Sequence, residues 1–452
     1  MTASNAEFNW KCHPQAEALC LKILQACCQA NSDVNKLQED LLEQTSTRLL
    51  DWVDHFEVGG GSEFEKNAYS SGYVQETVTA EYRVIVHPGA QLPRIVVYDS
   101  LPSVIGVAVS VEDIADFLMV RGHYGWIEGI PLSIFRRCSI SEVNDVKFWI
   151  VERRATGTML PHYGDEHSLE KYEEAKELWK TRLRHSREGE EEQIRHALEL
   201  ASELVTLLGQ DLAAWIILEC ERDYWERRNR AAQVQKNRQD RLGMGWANHD
   251  HHTFRSSRQH FVGLVRLFEI LGFHCRERFY AGAEAGWGAQ VMENLRCKLV
   301  LFLDVDLLPE EVEIDFAHRQ LQDVEKLGTV GLWCALHGDS ILRSGMHHLE
   351  AQFLFENLTD DLAHQGIAMM KPFSDFSYLK QAFTSPEKWE VDPKQIDKLQ
   401  KEGKITLEQA EKFKVEGAVG SHLENLQRRD GYKGFNQNNV STIIKATDPR
   451  SS

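Results

Sequence analysis

The sequence predicts an α+β protein, a core of mixed β-sheet carrying extensive helical additions. Three observations predict it. Short β-branched runs punctuated by turn residues fill 76–160 and return beyond 244. A highly charged helical stretch, 165–240, separates these two regions. Helical periodicity also fills 14–56 and 386–418. The implied organisation is an N-terminal helical segment (1–75), a first α+β half of the core (76–163), a charged helical connection (164–243), and a second α+β half (244–452) with a helical excursion at 386–418.

The elements follow in order. In "AEALCLKILQACCQA" and "KLQEDLLEQTSTRLLDWVDHF" apolar residues recur at three- and four-residue spacing, as helices require. Gly59, Gly60 and Gly61 then mark a loop. "YRVIVHPG" and "RIVVYDS" flank a Pro/Gly turn and read as a hairpin. "VIGVAVS" and "VKFWIVERR" are further strands, with a helix at "VEDIADFLMVRG" between them. The helices of the charged middle are apolar enough at their centre to be buried, with solvated flanks. "RQHFVGLVRLFEILGF" then reads as an amphipathic helix, "HCRERFYA", "KLVLFLDVDL" and "TVGLWCALHG" as strands, and "VSTIIKAT" as a closing strand.

Composition narrows the function. The 452 residues suit two or three domains, or one large core with helical additions. A net charge of −18 argues against nucleic acid held by phosphate neutralisation, and offers nothing to an anionic membrane surface. No apolar run reaches the roughly 18 residues of a membrane span, and the N-terminal stretch lacks the pattern of a secretory signal. Nine cysteines without a CxxC pair read as reduced thiols, which implies a cytoplasmic protein.

"WANHDHHTFRSSR" (246–258) places three histidines in four positions ahead of Arg255. On an extended strand His249 and His251 share one face with Arg255 while His252 faces the other. A neutral imidazole beside a guanidinium suits a metal with an anionic substrate; a polar turn ahead of a helix is the plain alternative. HExxH, the metallo-β-lactamase HxHxDH pattern, an amidohydrolase barrel, a P-loop and a dinucleotide fingerprint are all missing. The partners that chemistry asks for are His422, in "VEGAVGSHLENLQ", and Glu152, in "FWIVERRATG" beside Arg153 and Arg154. Two histidines and a carboxylate make the facial set of non-haem Fe(II) oxygen chemistry.

"HHTFR" (251–255) resembles the HxxxR motif of the 2-oxoadipate dioxygenase/decarboxylase family, the hydroxyglutarate synthases, and the likeness continues through "LVRLFEILGF" and "ERFYAGAEAG". "GSHLENL" (420–426) is similar to that family's second-histidine motif, and "IVERRATGTML" (150–160) to its glutamate strand. The resemblance implies a vicinal-oxygen-chelate-like fold and an Fe(II) centre on His251, His422 and Glu152. In that family the glutamate follows both histidines, so Glu152 implies a circularly permuted order, with Glu424 or Glu350 as the carboxylate if the order is not permuted. The activity implied is O2-driven decarboxylation and hydroxylation of a small 2-oxo acid, giving a 2-hydroxy acid and CO2. Arg255 would clamp the substrate carboxylate, Arg153 or Arg154 its distal end, and His249 and His252 would lie just outside the ligands. Two other readings are open. One is a different vicinal-oxygen-chelate metalloenzyme, an extradiol dioxygenase or a non-redox isomerase or lyase, with His347, His348 or Tyr280 as acid/base. The other is a non-catalytic helical interaction protein with a degenerate site.

Overall fold

The structure is a computed structural model that describes residues 10–99, 104–163, 167–184, 189–283, 285–436 and 447–450. Apart from Thr447, the closing strand expected at "VSTIIKAT" lies outside the described residues.

Hydrogen bonding divides the strands into two mixed sheets. The first contains β1 (Val53–Gly59), β2 (Val74–Val78), β3 (Arg83–Val86), β4 (Arg94–Tyr98), β5 (Val104–Ser110), β6 (Phe135–Val143) and β7 (Val146–Arg153). Its order is β2-β3-β4-β1-β5-β7-β6. The second contains β8 (His249–Arg255), β9 (His274–Tyr280), β10 (Trp287–Asn294), β11 (Leu299–Asp306), β12 (His348–Gln352), β13 (Ser374–Phe376), β14 (Leu379–Phe383), β15 (Glu387–Trp389) and β16 (Ala418–Arg428). Its order is β13-β14-β16-β12-β8-β11-β10-β9, with β15 on the free part of β16. The two α+β regions do not share a sheet. Each closes on its own strands.

Two local expectations also give way. Helical periodicity continues to Phe56, yet the helix Ser32–Thr45 stops at Ser46, whose left-handed φ of 59° ends it. The chain then enters β1, where Val53, Phe56 and Val58 are buried. "TVGLWCALHG" is not a strand but the helix Thr329–His337, ended by Gly338. Almost every residue of that helix is buried, so it has no polar face to reveal a helical period.

The two sheets repeat one plan. β1 pairs β4 in parallel and β5 antiparallel, and β5 pairs β7 in parallel. β8 pairs β11 in parallel and β12 antiparallel, and β12 pairs β16 in parallel. In each unit a helix follows the central strand: Glu63–Ser70 after β1, Ile114–Arg121 after β5, Phe261–Ile270 after β8 and Phe355–His364 after β12. Both leading strands carry one extra residue at the same place, Val53/His55 against Val109/Ala108 and His249/His252 against Ala351/Leu349. Each of these bulges holds an Asp-His pair, Asp54-His55 and Asp250-His251, and each aspartate is bound by an arginine from the corresponding last strand, Arg153 or Arg428.

The outer face of the second sheet is buried under the helical middle. Phe254, Leu301, Leu303, Leu349 and Leu423 pack with the helices Glu190–Leu208 and Gln210–Glu226. The outer face of the first sheet is covered by the N-terminal helices. The inner face of each sheet carries a smaller apolar cluster interrupted by buried polar side chains.

Candidate metal centre

The bulge in β8 resets its alternation. His249 turns to the outer face, where its ring lies 5.2 Å from that of His252. Asp250 and His251 both reach the inner face, against Glu350 of β12. The expectation that His249 and His251 share a face is thereby corrected, because an inserted residue shifts every side chain before it. On β12, His348 and Glu350 share the inner face by alternation, and the parallel register sets His422 and Glu424 of β16 beside them.

Three donor groups converge: His251, His348 and Glu424, whose ligand atoms all lie within 4.8 Å of one another. His348 Nε2 is 2.9 Å from Glu424 Oε2. Its Nδ1 is 3.1 Å from His422 Nε2, so His422 is the hydrogen-bond partner that fixes the His348 ring. His251 Nδ1 lies 2.5 Å from Glu350 Oε2, an oxygen with no hydrogen-bond partner among the described residues. Gln381 Nε2 donates to Oε1 of both Glu350 and Glu424, at 3.3 Å each.

Burial holds the imidazoles neutral. It drives His348 and His422 well below the usual histidine range, and it lowers His251 against the opposing pull of Asp250. Burial likewise pushes Glu350 well above the carboxylate range, reinforced by Glu424, and raises Glu424 despite the hydrogen bond from Gln381. Neutral nitrogen donors and crowded acids fit a divalent cation, which would relieve that crowding.

A cavity of about 80 Å³ opens at this cluster. Phe279, Trp287, Phe302, Phe373, Phe383 and Phe435 make its apolar wall; Thr253, Asp304, Gln381 and Asn436 are polar points on it. Asp304 is pushed up to about 7 by burial, against the pull of Arg255. The Arg255 Nε is 3.6 Å from that carboxylate, and its Nε and Nη1 have no hydrogen-bond partner among the described residues.

The other predicted residues fall elsewhere. Glu152 is not brought to the histidines: on β7 of the first sheet it accepts from Arg136 Nη1 at 2.8 Å to each oxygen, from Arg154 at 3.1 Å and from the Ile114 N–H at 2.9 Å. These four hydrogen bonds, from three donors, already satisfy it. The carboxylates at the site, Glu350 and Glu424, follow His251 in the chain, so no permuted order is required. Arg153 is bound to Asp54 at 2.6 and 2.9 Å, and Arg154 lies over Tyr172 with its hydrogen bonds spent on Glu152 and backbone carbonyls, so neither faces the cavity. His249 is tied to the Trp246 carbonyl at 2.8 Å, and His252 lies 3.4 Å from Arg222. Arg255 stands behind Asp304 rather than in the open cavity. Of the acid/base candidates, His348 is a donor of the cluster and His347 lies beside it, rings 5.1 Å apart. The signal for His348 was present: "HLE" occurs at 348–350 and again at 422–424, and HxE on a strand puts imidazole and carboxylate on one face.

No family model matches the chain, and no curated protein matches it. Among solved structures it is similar to a variant of 4-hydroxymandelate synthase from Streptomyces coelicolor, at 10% identity over 89% of this chain and 99% of that one, TM-score 0.30. It is similar to methylmalonyl-CoA epimerase from Mycobacterium tuberculosis, at 10% identity over 40% and 88%, TM-score 0.23. A third likeness is to the Mn(II)-bound glyoxalase from Novosphingobium aromaticivorans, at 8% identity over 84% and 82%, TM-score 0.20. At these scores the likenesses carry no functional argument. The fold class stands on the chain's own topology: α+β, with strand–helix–strand units paired about antiparallel central strands, the vicinal-oxygen-chelate arrangement. Among the described residues no helix is long and apolar enough to cross a membrane.

Proposed function

We propose that this chain is a divalent-metal enzyme, an Fe(II)-dependent oxygenase that decarboxylates and hydroxylates a small 2-oxo acid, with His251, His348 and Glu424 as the metal ligands. The observation that carries the reading is the convergence of two imidazoles and one carboxylate at the floor of an aromatic-walled cavity. Iron(II), held by His251, His348 and Glu424, would supply Lewis-acid binding of a 2-oxo acid and one-electron chemistry toward O2, with the substrate's own decarboxylation providing the electrons.

The chain's own residues do the rest. His422 holds the His348 ring by its far nitrogen, and Gln381 orients Glu424. The aromatic wall excludes water and grips an apolar substituent. Among the described residues no arginine lines the open cavity, which disfavours the second carboxylate of a diacid. The substrate is therefore a 2-oxo acid with a flat or apolar side chain, its polar end set among Gln381, Asn436 and Thr253.

The test is a screen of the Fe(II)-loaded protein for O2 uptake coupled to CO2 release. Aromatic and branched 2-oxo acids should turn over faster than 2-oxo diacids by at least tenfold. Coupled turnover of diacids alone would sink the proposed pocket chemistry. One further reading rests on Glu350: with its Oε2 against His251 it would complete a four-ligand site suited to a non-redox isomerase or lyase. Metal-dependent turnover without O2 uptake would favour that reading.

A further inference from the structure

The duplicated plan makes it possible to ask what the first sheet carries where the second has its metal centre. Aligning β1 with β8, β5 with β12 and β7 with β16 by register places His55 at the position of His251. The same alignment sets Gly106 at His348 and Trp149 at Glu424. Two of the three donors are thus lost. On β4, in register with His55, stands Arg94; its counterpart on β11, in register with His251, is Val300. The copy without metal ligands has gained a cation.

We propose that Arg94 is the centre of a small-anion site on the inner face of the first sheet, taking a monovalent anion of carboxylate or halide size. Arg94 is 3% exposed, and its Nε and Nη2 are buried with no hydrogen-bond partner among the described residues. A guanidinium in that state requires a counter-charge, since burial without one is among the costliest arrangements a fold can hold. Asp54 and Glu76 both attract it, yet neither makes a hydrogen bond or ion pair with it among the described residues. Asp54 is occupied by Arg153 at 2.6 and 2.9 Å and by His55 Nδ1 at 2.6 Å. Glu76 is solvent-exposed on the rim.

The guanidinium opens into a cleft bordered by Thr77, Tyr82, Gly157 and Thr158, with a volume of about 10 Å³. That is room for about one water-sized group, enough for a halide or one carboxylate oxygen and too small to enclose a tetrahedral phosphate.

The test is thermal unfolding of the metal-free full chain titrated with sodium acetate, chloride or inorganic phosphate at fixed ionic strength, for wild type, Arg94→Met, Arg94→Lys and Glu76→Gln. Wild type should show a saturable rise in Tm with acetate or chloride, and the more effective of the two names the natural class. Arg94→Met should show no saturable rise, Arg94→Lys a midpoint shifted at least tenfold upward, and Glu76→Gln a midpoint shifted downward. His348→Ala should leave the wild-type response intact, because the metal centre is on the other sheet. The proposal is overturned if wild type gives no saturable response, if wild type and both Arg94 variants respond in parallel, or if phosphate is the most effective anion.

Discussion

Asp304 illustrates how single side chains set the chemistry of the cavity. Its carboxyl is 4% exposed and pushed up to about 7, so the folded protein binds its proton more tightly than the unfolded chain does. Its contribution to stability is present in full below its unfolded value of about 4 and is lost as pH rises through about 7. Asp304→Asn should therefore be more stable than wild type at pH 7.5, by roughly 1–4 kcal/mol, and no more stable near pH 4. Urea unfolding of the metal-free proteins checks this; equal differences at both pH values would show that Asp304 is ionised in the fold. Individual residues also mark how far the sequence could be read. HxxxR pointed to His251, which the fold brings to the donor cluster, and to Arg255, which it sets behind Asp304 instead of in the cavity; Glu350 and Glu424, the substitute carboxylates, lie beside His251 and His348. Glu152 misled because a glutamate flanked by arginines looks the same whether they wait for a substrate or already hold it, and only the Arg136 partner on β6 decides between them.

At the scale of elements, the helices of the charged middle owe their cohesion partly to Glu221. Burial opposes its ionisation, yet Arg182 and Arg184 overcome this and hold it below the usual carboxylate range. Its Oε1 accepts from Arg182 at 2.7 Å, from Arg184 at 2.8 Å and from Trp179 Nε1 at 2.8 Å. Glu221→Ala leaves two buried cations without their carboxylate and should cost about 3–5 kcal/mol. Chemical denaturation at neutral pH measures that loss, which should shrink as pH falls and the wild-type carboxyl takes a proton. A neutral outcome would mean that water replaces the carboxylate. Element types were mostly legible: the hairpin β3–β4, the strands β7, β9 and β11, and the helix Phe261–Ile270 all lie where periodicity put them. The bulges were not legible, because one inserted residue leaves no mark on composition and shows only when two strands are set in register.

At the scale of the whole molecule, the chain is two copies of one sheet plan, of which the second carries the donor set. The duplication escaped the sequence because its shared residues are few, an Asp-His pair and one distant arginine in each copy. A global prediction follows from the crowded acids. Without metal, the raised Glu350 and Glu424 contribute stability at low pH that is lost as pH rises. Chelated protein should lose Tm as pH rises above the ordinary carboxylate range of about 4–5, and reloading with Fe(II) or Mn(II) should restore it. A Tm indifferent to metal across that range, read by scanning fluorimetry, would contradict the site.

The most direct test of the central claim is anaerobic Fe(II) binding, measured by equilibrium dialysis, on wild type and on four variants. One equivalent should bind to wild type and to Glu152→Gln, and binding should weaken by about a hundredfold or more in His251→Ala, His348→Ala and Glu424→Gln. Loss of the metal in Glu152→Gln with retention in His348→Ala would contradict the account.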